Sequence, residues 1–233
     1  EMAEEYPDVI FLHCSGYLSN DSNFGNYFGK MYQPRYLAGL QACEMTTSTK
    51  IGYVAAFPIP EVIRGINAFA SGVKEVNPDA TVEVVWTFTW FGPEAETQAA
   101  NALLETGVDV LAQHQDSPST GIAAEAAGAK WISYNTAYGQ DAAPGAFVTA
   151  PVWDWGPYYV EIVESIINDE FVAEAYWGGM ETGLVSLYEL TSDVPTETAS
   201  LISDRTEEII SGSYDPPLVE EEFIDNVIGT VNP

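Results

Sequence analysis

Seven aromatic residues, Tyr17, Phe57, Phe88, Trp90, Phe91, Trp153 and Trp155, each follow closely on a short apolar run of the sequence. Hydrogen-bonding residues hold equivalent places: His114, Gln115, Asp116 and Asn135. Flat rings beside a few directional polar groups suit a heterocyclic ligand, because stacking supplies affinity while amides and carboxylates read the ring edge. A carboxylate accepts from an exocyclic amine, and an amide both donates and accepts. The same rings could instead fill the core where helices meet a sheet. For Trp90 and Trp153 position alone leaves both roles open.

Residues for catalysis are sparse. His114 stands two places before Asp116 and could form an acid/base pair with it, but no nucleophile or metal partner accompanies them. His13 lies inside an apolar run, which suits a hydrogen-bonded structural histidine. There is no phosphate-binding glycine loop, nucleophile elbow, calcium loop or zinc cluster. These features describe a binder without cofactor or metal, not an enzyme.

The elements that must position these residues are legible as alternating patterns. Apolar runs at residues 9–13, 50–55, 81–87, 108–113, 131–134 and 146–149 read as strands. Several lack polar alternation, as parallel strands covered on both faces do. The clearest helix follows Pro60: Val62, Ile63, Ile66, Phe69, Ala70, Val73 and Val76 make one apolar stripe, which Asn77 and Pro78 end. Further helices are predicted at 93–107, 117–128, 156–167 and 196–211, and residues 1–6 read as the last turn of another. Repeated βα units imply a doubly wound parallel sheet with right-handed crossovers. Ligands of such sheets sit beyond the carboxyl ends of the strands. That rule selects residues 15–17, 56–58, 88–91, 114–117, 135–136 and 150–155, where the aromatic and polar residues above are found.

Composition narrows the partners. Among 233 residues, 35 Asp and Glu oppose 7 Lys and Arg, a formal net charge of -28. Such a surface repels phosphate backbones and anionic headgroups, which argues against nucleic acid and membrane-surface binding. The acids are dispersed, and read as a solvated acidic surface. Cys14 and Cys43 have no CxxC spacing and read as two buried small side chains rather than a disulfide. No apolar run reaches the roughly 18 residues of a membrane-spanning helix.

Three stretches carry a family resemblance: KIGYVAAFPIPEVIRGINAFASG (50–72), VVWTFTWFGPEAETQAANALLETGVDVLAQHQDSP (84–118) and APVWDWGPYY (150–159). In this order and spacing they resemble the basic membrane protein, or PnrA-like, family of solute-binding lipoproteins, over about residues 7–212. Such proteins deliver purine nucleosides, or in some branches bases or other heterocycles, to ABC importers. The resemblance implies an α/β type I periplasmic-binding-protein fold with two Rossmann-like lobes, parallel sheets and ligand held between the lobes. Residues 1–47 and 151–233 would form the first lobe and 48–150 the second. The family carries about three more βα units and a signal peptide upstream, so the first lobe is expected to be incomplete here. A periplasmic or extracytoplasmic location follows, with a lipid anchor on the missing part and an ABC permease and its ATPase as partners.

Carried over by position, Trp90 falls where nucleoside-binding relatives stack an aromatic on the purine, and Phe57 in the loop after the second lobe's first strand. Asn135 replaces an acidic ribose contact, and Trp153 replaces a lysine near the sugar. Gln115 and Asp116 replace small residues and are placed to read the base edge, with His114 and Tyr17 completing the candidate set. The exchanges at 135 and 153 remove charge and add bulk where ribose would lie, which favours a free base such as adenine. A purine nucleoside, another planar heterocycle, or a ligand-sensing regulatory domain of the same fold remain as alternatives. The acidic tail at 215–233 has neither DNA-binding nor signalling character.

Overall fold

The computed structural model describes residues 1–191 and 194–229. In chain order the elements are α1 (Met2–Glu5), β1 (Phe11–Cys14), β2 (Phe24–Gly29), α2 (Tyr32–Met45), β3 (Lys50–Ala55), α3 (Pro60–Val76) and β4 (Thr81–Trp86). There follow α4 (Pro93–Glu105), β5 (Val110–Gln113), α5 (Ser119–Ala127), β6 (Lys130–Ile132), α6 (Gly139–Ala142), β7 (Phe147–Thr149) and β8 (Pro151–Trp153). The last are α7 (Gly156–Ile167), β9 (Ala175–Gly178), β10 (Val185–Leu187), α8 (Thr196–Ser211) and β11 (Val227–Ile228). Contacts divide the chain into a smaller unit, Glu1–Lys30 with Trp153–Val185, and a larger one, Met31–Val152 with Ser186–Pro233.

The larger unit is built on a six-stranded parallel sheet in the order β11-β4-β3-β5-β6-β7. Its central strands β3 and β5 are buried on both faces, and successive residues alternate between two cores. Ile51, Tyr53, Val82, Val110, Ala112 and Ile132 pack with Val62, Ile66, Phe69 and Val73 of α3. Val54, Leu111, Trp131 and Phe147 pack with α4 and α5 through Ala99, Leu103 and Ala124. Two-faced burial is the physical reason these strands show no polar alternation in sequence.

Helix α2 is enclosed from Tyr32 to Cys43. It packs along α3 at two glycines: a Cβ on Gly39 would lie 2.0 Å from the Phe69 carbonyl oxygen, and one on Gly72 would lie 2.1 Å from that of Tyr36. No other residue allows backbones to approach so closely. Because every face of α2 is covered, it has no polar stripe to betray it in sequence. Its packing on α3, with α8 in turn against it, keeps residues 31–47 and 186–229 within the larger unit. The contacts therefore part at Lys30–Met31.

The segment after Ser213, expected only as an acidic tail, is bound to the larger unit. Asn67 of α3 donates to the carbonyls of Val219 (2.9 Å) and Glu222 (2.7 Å) and accepts from the Ile224 amide (3.1 Å). Phe223 stacks on Trp86 with centroids 6.1 Å apart, and β11 then pairs with β4.

The smaller unit carries the parallel sheet β1-β2-β9. Asn23 ties its N-terminal segment down by donating to the carbonyls of Ala3, Tyr6 and Val9 at 2.9, 3.1 and 2.8 Å. On edge strand β1, His13 and Cys14 are exposed. Neither is thus the enclosed residue the apolar run suggested, because β1 is paired on one side only. Cys14 and the buried Cys43 are both free thiols. No helix among the described residues is long and apolar enough to cross a membrane.

Candidate functional site

In the larger sheet β3 has β4 on one side and β5 on the other, so the chain reverses direction across the sheet at β3. The carboxyl ends beside such a switch point form a crevice. Four loops meet at that edge: 56–59 after β3, 87–92 after β4, 114–118 after β5 and 133–138 after β6.

The first two loops carry an aromatic group. Phe57 lies 5.6 Å from Trp90 and 6.4 Å from Phe88, centroid to centroid, with tilted or edge-on rings. The strand ladder runs on through Thr87 N–H to Ala55 O (2.8 Å) and Phe88 N–H to Ala56 O (2.9 Å). Phe88 then takes a left-handed backbone, φ 55°. Such a conformation costs a bulky residue about 1–3 kcal/mol and is found where function constrains the chain. Phe88, Trp90 and Phe91 keep exposed ring surface.

Asp116 joins this group to the third loop: its amide donates to the Trp90 carbonyl at 2.8 Å. The Asp116 carboxylate is exposed, and partial desolvation raises its pKa above the ordinary aspartate value. Gln115, expected to read a ligand edge, is fully buried. Its Nε2 donates to Thr87 Oγ1 at 2.9 Å and its Oε1 accepts from the His114 amide at 3.1 Å. It fastens the loops after β4 and β5 together. Gln113 braces the loop after β5 against β6, donating to the carbonyls of Gln115 (2.8 Å) and Ser117 (2.7 Å) and accepting from Trp131 Nε1 (3.0 Å).

His114 is likewise sealed. Its Nδ1 lies 2.9 Å from the Tyr53 hydroxyl and its Nε2 3.6 Å from Glu61 Oε1. Arg35 donates to the same Tyr53 hydroxyl at 3.2 Å and to Asn135 Oδ1 at 3.1 Å. Burial, reinforced by the Arg35 charge, pushes the imidazole down to about 4 against the pull of Glu61. Burial opposes ionisation of Glu61, yet His114, Arg35 and Arg64 together hold its carboxyl below the usual range. A neutral imidazole whose Nδ1 accepts from Tyr53 carries its proton on Nε2, facing Glu61.

Beside these loops lies a cavity of about 260 Å³. Gln115, Asp116, Ser117, Tyr134, Thr136 and Tyr138 are among the residues lining it. Ser117 is held by Glu96, a fully buried carboxylate on α4, whose Oε2 accepts from the serine hydroxyl at 2.5 Å. Asn135 is half-buried in a left-handed turn, φ 56°, between two of the lining residues. Phe57, Trp90, Gln115, Asp116, His114 and Asn135 therefore share one edge of the larger unit.

Tyr17 and Trp153 belong to the smaller unit. Tyr17 is exposed in the loop after β1. Trp153 stacks on Trp155, centroids 4.5 Å apart and planes 17° apart, and leans on Phe28 at 5.1 Å. A Cβ on Gly29 would come 2.5 Å from its ring.

The sequence reading missed Arg35, Tyr53, Glu61 and Tyr134. Arg35 carried a usable signal: it is one of only seven cations and opens an otherwise uncharged stretch, residues 36–43. Tyr134 directly precedes Asn135 and falls inside the predicted strand 131–134, whereas β6 ends at Ile132.

The sequence profile described as ABC transporter substrate-binding protein PnrA-like (Bmp) matches residues 1–216. A Haloferax volcanii protein named for glucose binding in an ABC transporter is 44% identical over 214 residues, 92% of this chain and 54% of its own length. A purine-binding protein of Brucella abortus is 36% identical over 221 residues, 93% of this chain and 61% of its own length. The chain thus spans a little over half the length of these relatives. An ABC transporter solute-binding protein from Conexibacter woesei superposes with a TM-score of 0.74 at 24% identity, covering 92% of this chain and 73% of that one. The fold is that of the type I periplasmic solute-binding proteins. The chain belongs to the PnrA-like (Bmp) family of ABC transporter substrate-binding proteins.

Proposed function

We propose that the chain is part of an extracytoplasmic solute receptor that hands a purine nucleobase to an ABC permease and its ATPase. One observation carries the ligand class: the partly exposed Phe57, Phe88 and Trp90 group is fastened to the Asp116 loop by the 2.8 Å bond between Asp116 N–H and Trp90 O. A cluster of exposed aromatic faces next to an acceptor suits a ring bearing an amine. The name of the Brucella abortus relative supports a purine. Trp153, bulky where the resemblance places a lysine near ribose, favours the free base over the nucleoside. A lipid anchor upstream of this segment belongs to the same proposal.

Glucose is the second reading, favoured by the 44% identical Haloferax volcanii relative. Aromatic faces and carboxylates serve sugars as well. Calorimetric titration of the full-length protein with adenine, adenosine and glucose decides among them. Adenine binding tightest is the expected result. Adenosine binding as tightly would overturn the free-base assignment, and glucose binding without adenine binding would overturn the purine.

A further inference from the structure

Five of the seven cations, Lys30, Lys50, Arg64, Lys74 and Arg205, make ion pairs with carboxylates. Arg35, only 3% exposed, has no carboxylate within ion-pair distance among the described residues. Its hydrogen-bond and ring partners are neutral: the Tyr53 hydroxyl, Asn135 Oδ1, and the Tyr134 ring, whose centroid lies 5.1 Å from the guanidinium carbon, while the Glu61 carboxylate acts on it only from beyond ion-pair distance. Burying a guanidinium among neutral groups is costly, so its directional bonds matter.

A guanidinium can only donate, so the atom of Asn135 that faces Arg35 must be the carbonyl oxygen. The amide nitrogen is thereby turned away from Arg35. Asn135 stands three residues past β6, and Tyr134 and Thr136 on either side of it line the cavity. Asp116 stands three residues past β5, the neighbouring strand. Adjacent strands run about 4.8 Å apart, so an oriented donor and an exposed acceptor stand on neighbouring strand ends.

We infer that Arg35 is a positioning residue that locks Asn135 as a hydrogen-bond donor, so that with Asp116 as acceptor the site selects a planar ligand carrying an acceptor and a donor along one edge. The ring nitrogen and exocyclic amine of a nucleobase form such an edge. A sugar hydroxyl both donates and accepts and would satisfy either face of the amide, whereas a ring nitrogen can only accept. The ligand identity rests on the nucleobase reading above; the coupling of Arg35 to Asn135 does not.

Two measurements on the full-length protein test the inference. In the first, adenine and its 1-, 3- and 7-deaza analogues are titrated into wild type, Asn135→Leu and Arg35→Met. At least one analogue should bind wild type roughly tenfold more weakly than adenine, the worth of about one hydrogen bond. That loss should fall below about threefold in Asn135→Leu and shrink in Arg35→Met. Equal binding of all analogues to wild type, or an unchanged loss in Asn135→Leu, overturns the inference even if Arg35→Met does not fold. The second needs no ligand: the carboxyl introduced by Asn135→Asp is titrated by carbon NMR. Beside Arg35 it should titrate about 1–3 units below an ordinary aspartate, and an ordinary value overturns the coupling. If adenine does not bind at all, the nucleobase reading fails, and this titration alone decides whether Arg35 holds position 135.

Discussion

The Tyr53 hydroxyl lies 2.9 Å from His114 Nδ1, and both side chains are sealed from solvent. The pair links two neighbouring strands through a bond with no competing water. Its protonation state is therefore a property of the fold.

In the folded chain the imidazole titrates near 4, because burial and then Arg35 disfavour its charge, against 6.5 when unfolded. Between these values the unfolded state binds the proton and the folded state does not. The stability present above pH 6.5 is thus lost as pH falls towards 4, by up to about 3 kcal/mol for this one group. Thermal unfolding from pH 7 to pH 4 should show a falling Tm whose slope flattens in His114→Asn, which keeps an acceptor for Tyr53. An equal slope in both proteins would show that other groups dominate.

Trp90 keeps over a third of its surface exposed and supports little of the core. Stacking of a base on an aromatic side chain is worth about 1–3 kcal/mol. Trp90→Ala should weaken adenine binding by roughly 5- to 150-fold while leaving the unfolding transition nearly unchanged. Calorimetry and differential scanning of one preparation check both halves. A large drop in Tm with unchanged affinity would assign Trp90 to packing.

Asn67 is buried and makes three hydrogen bonds to the segment 219–224. Asn67→Ala strands two carbonyls and one amide that water can only partly serve. The expected cost is about 2–4 kcal/mol, together with faster proteolytic cleavage within that segment. Urea unfolding and limited proteolysis read the two effects separately.

The net charge of -28 makes the folded state repel itself. Raising KCl from 0.05 M to 0.5 M shortens the screening length from roughly 14 Å to roughly 4 Å and should raise Tm. A variant with six exposed acids replaced by Gln or Asn should gain less. A Tm flat across the series would show that the acids are too well separated to matter.

Much of the larger unit was legible because two-faced strands and one-faced helices obey simple periods. Lys50–Ala55 and Thr196–Ser211 lie where those periods place them, as does Gly156–Ile167 in the smaller unit. Helix α2 was not legible, since a helix buried all round has no period to read. The short strands β2, β9 and β11 were also missed. Each has two to six residues and is fixed by partners far away in sequence, a tertiary effect that local propensity does not record. At the candidate site, the strand-end rule named Phe57, Trp90, Asp116 and Asn135, which the fold brings to one edge of the sheet. It missed Arg35, which reaches that edge from a helix packed on one face of the sheet. The direction of the Gln115 side chain, inward to Thr87, depended on a cross-loop bond and was equally beyond local reading.

Strand β11 pairs with β4 from the far end of the chain. Every other strand of the larger sheet leaves the ribosome earlier, so during synthesis the β4 edge stays open until residues 227–228 emerge. For that interval a nascent chain displays an unpaired, largely apolar edge, the feature that invites pairing with neighbouring chains. The segment that completes the sheet thus also sets how long each new molecule depends on dilution or chaperones to stay apart from its siblings.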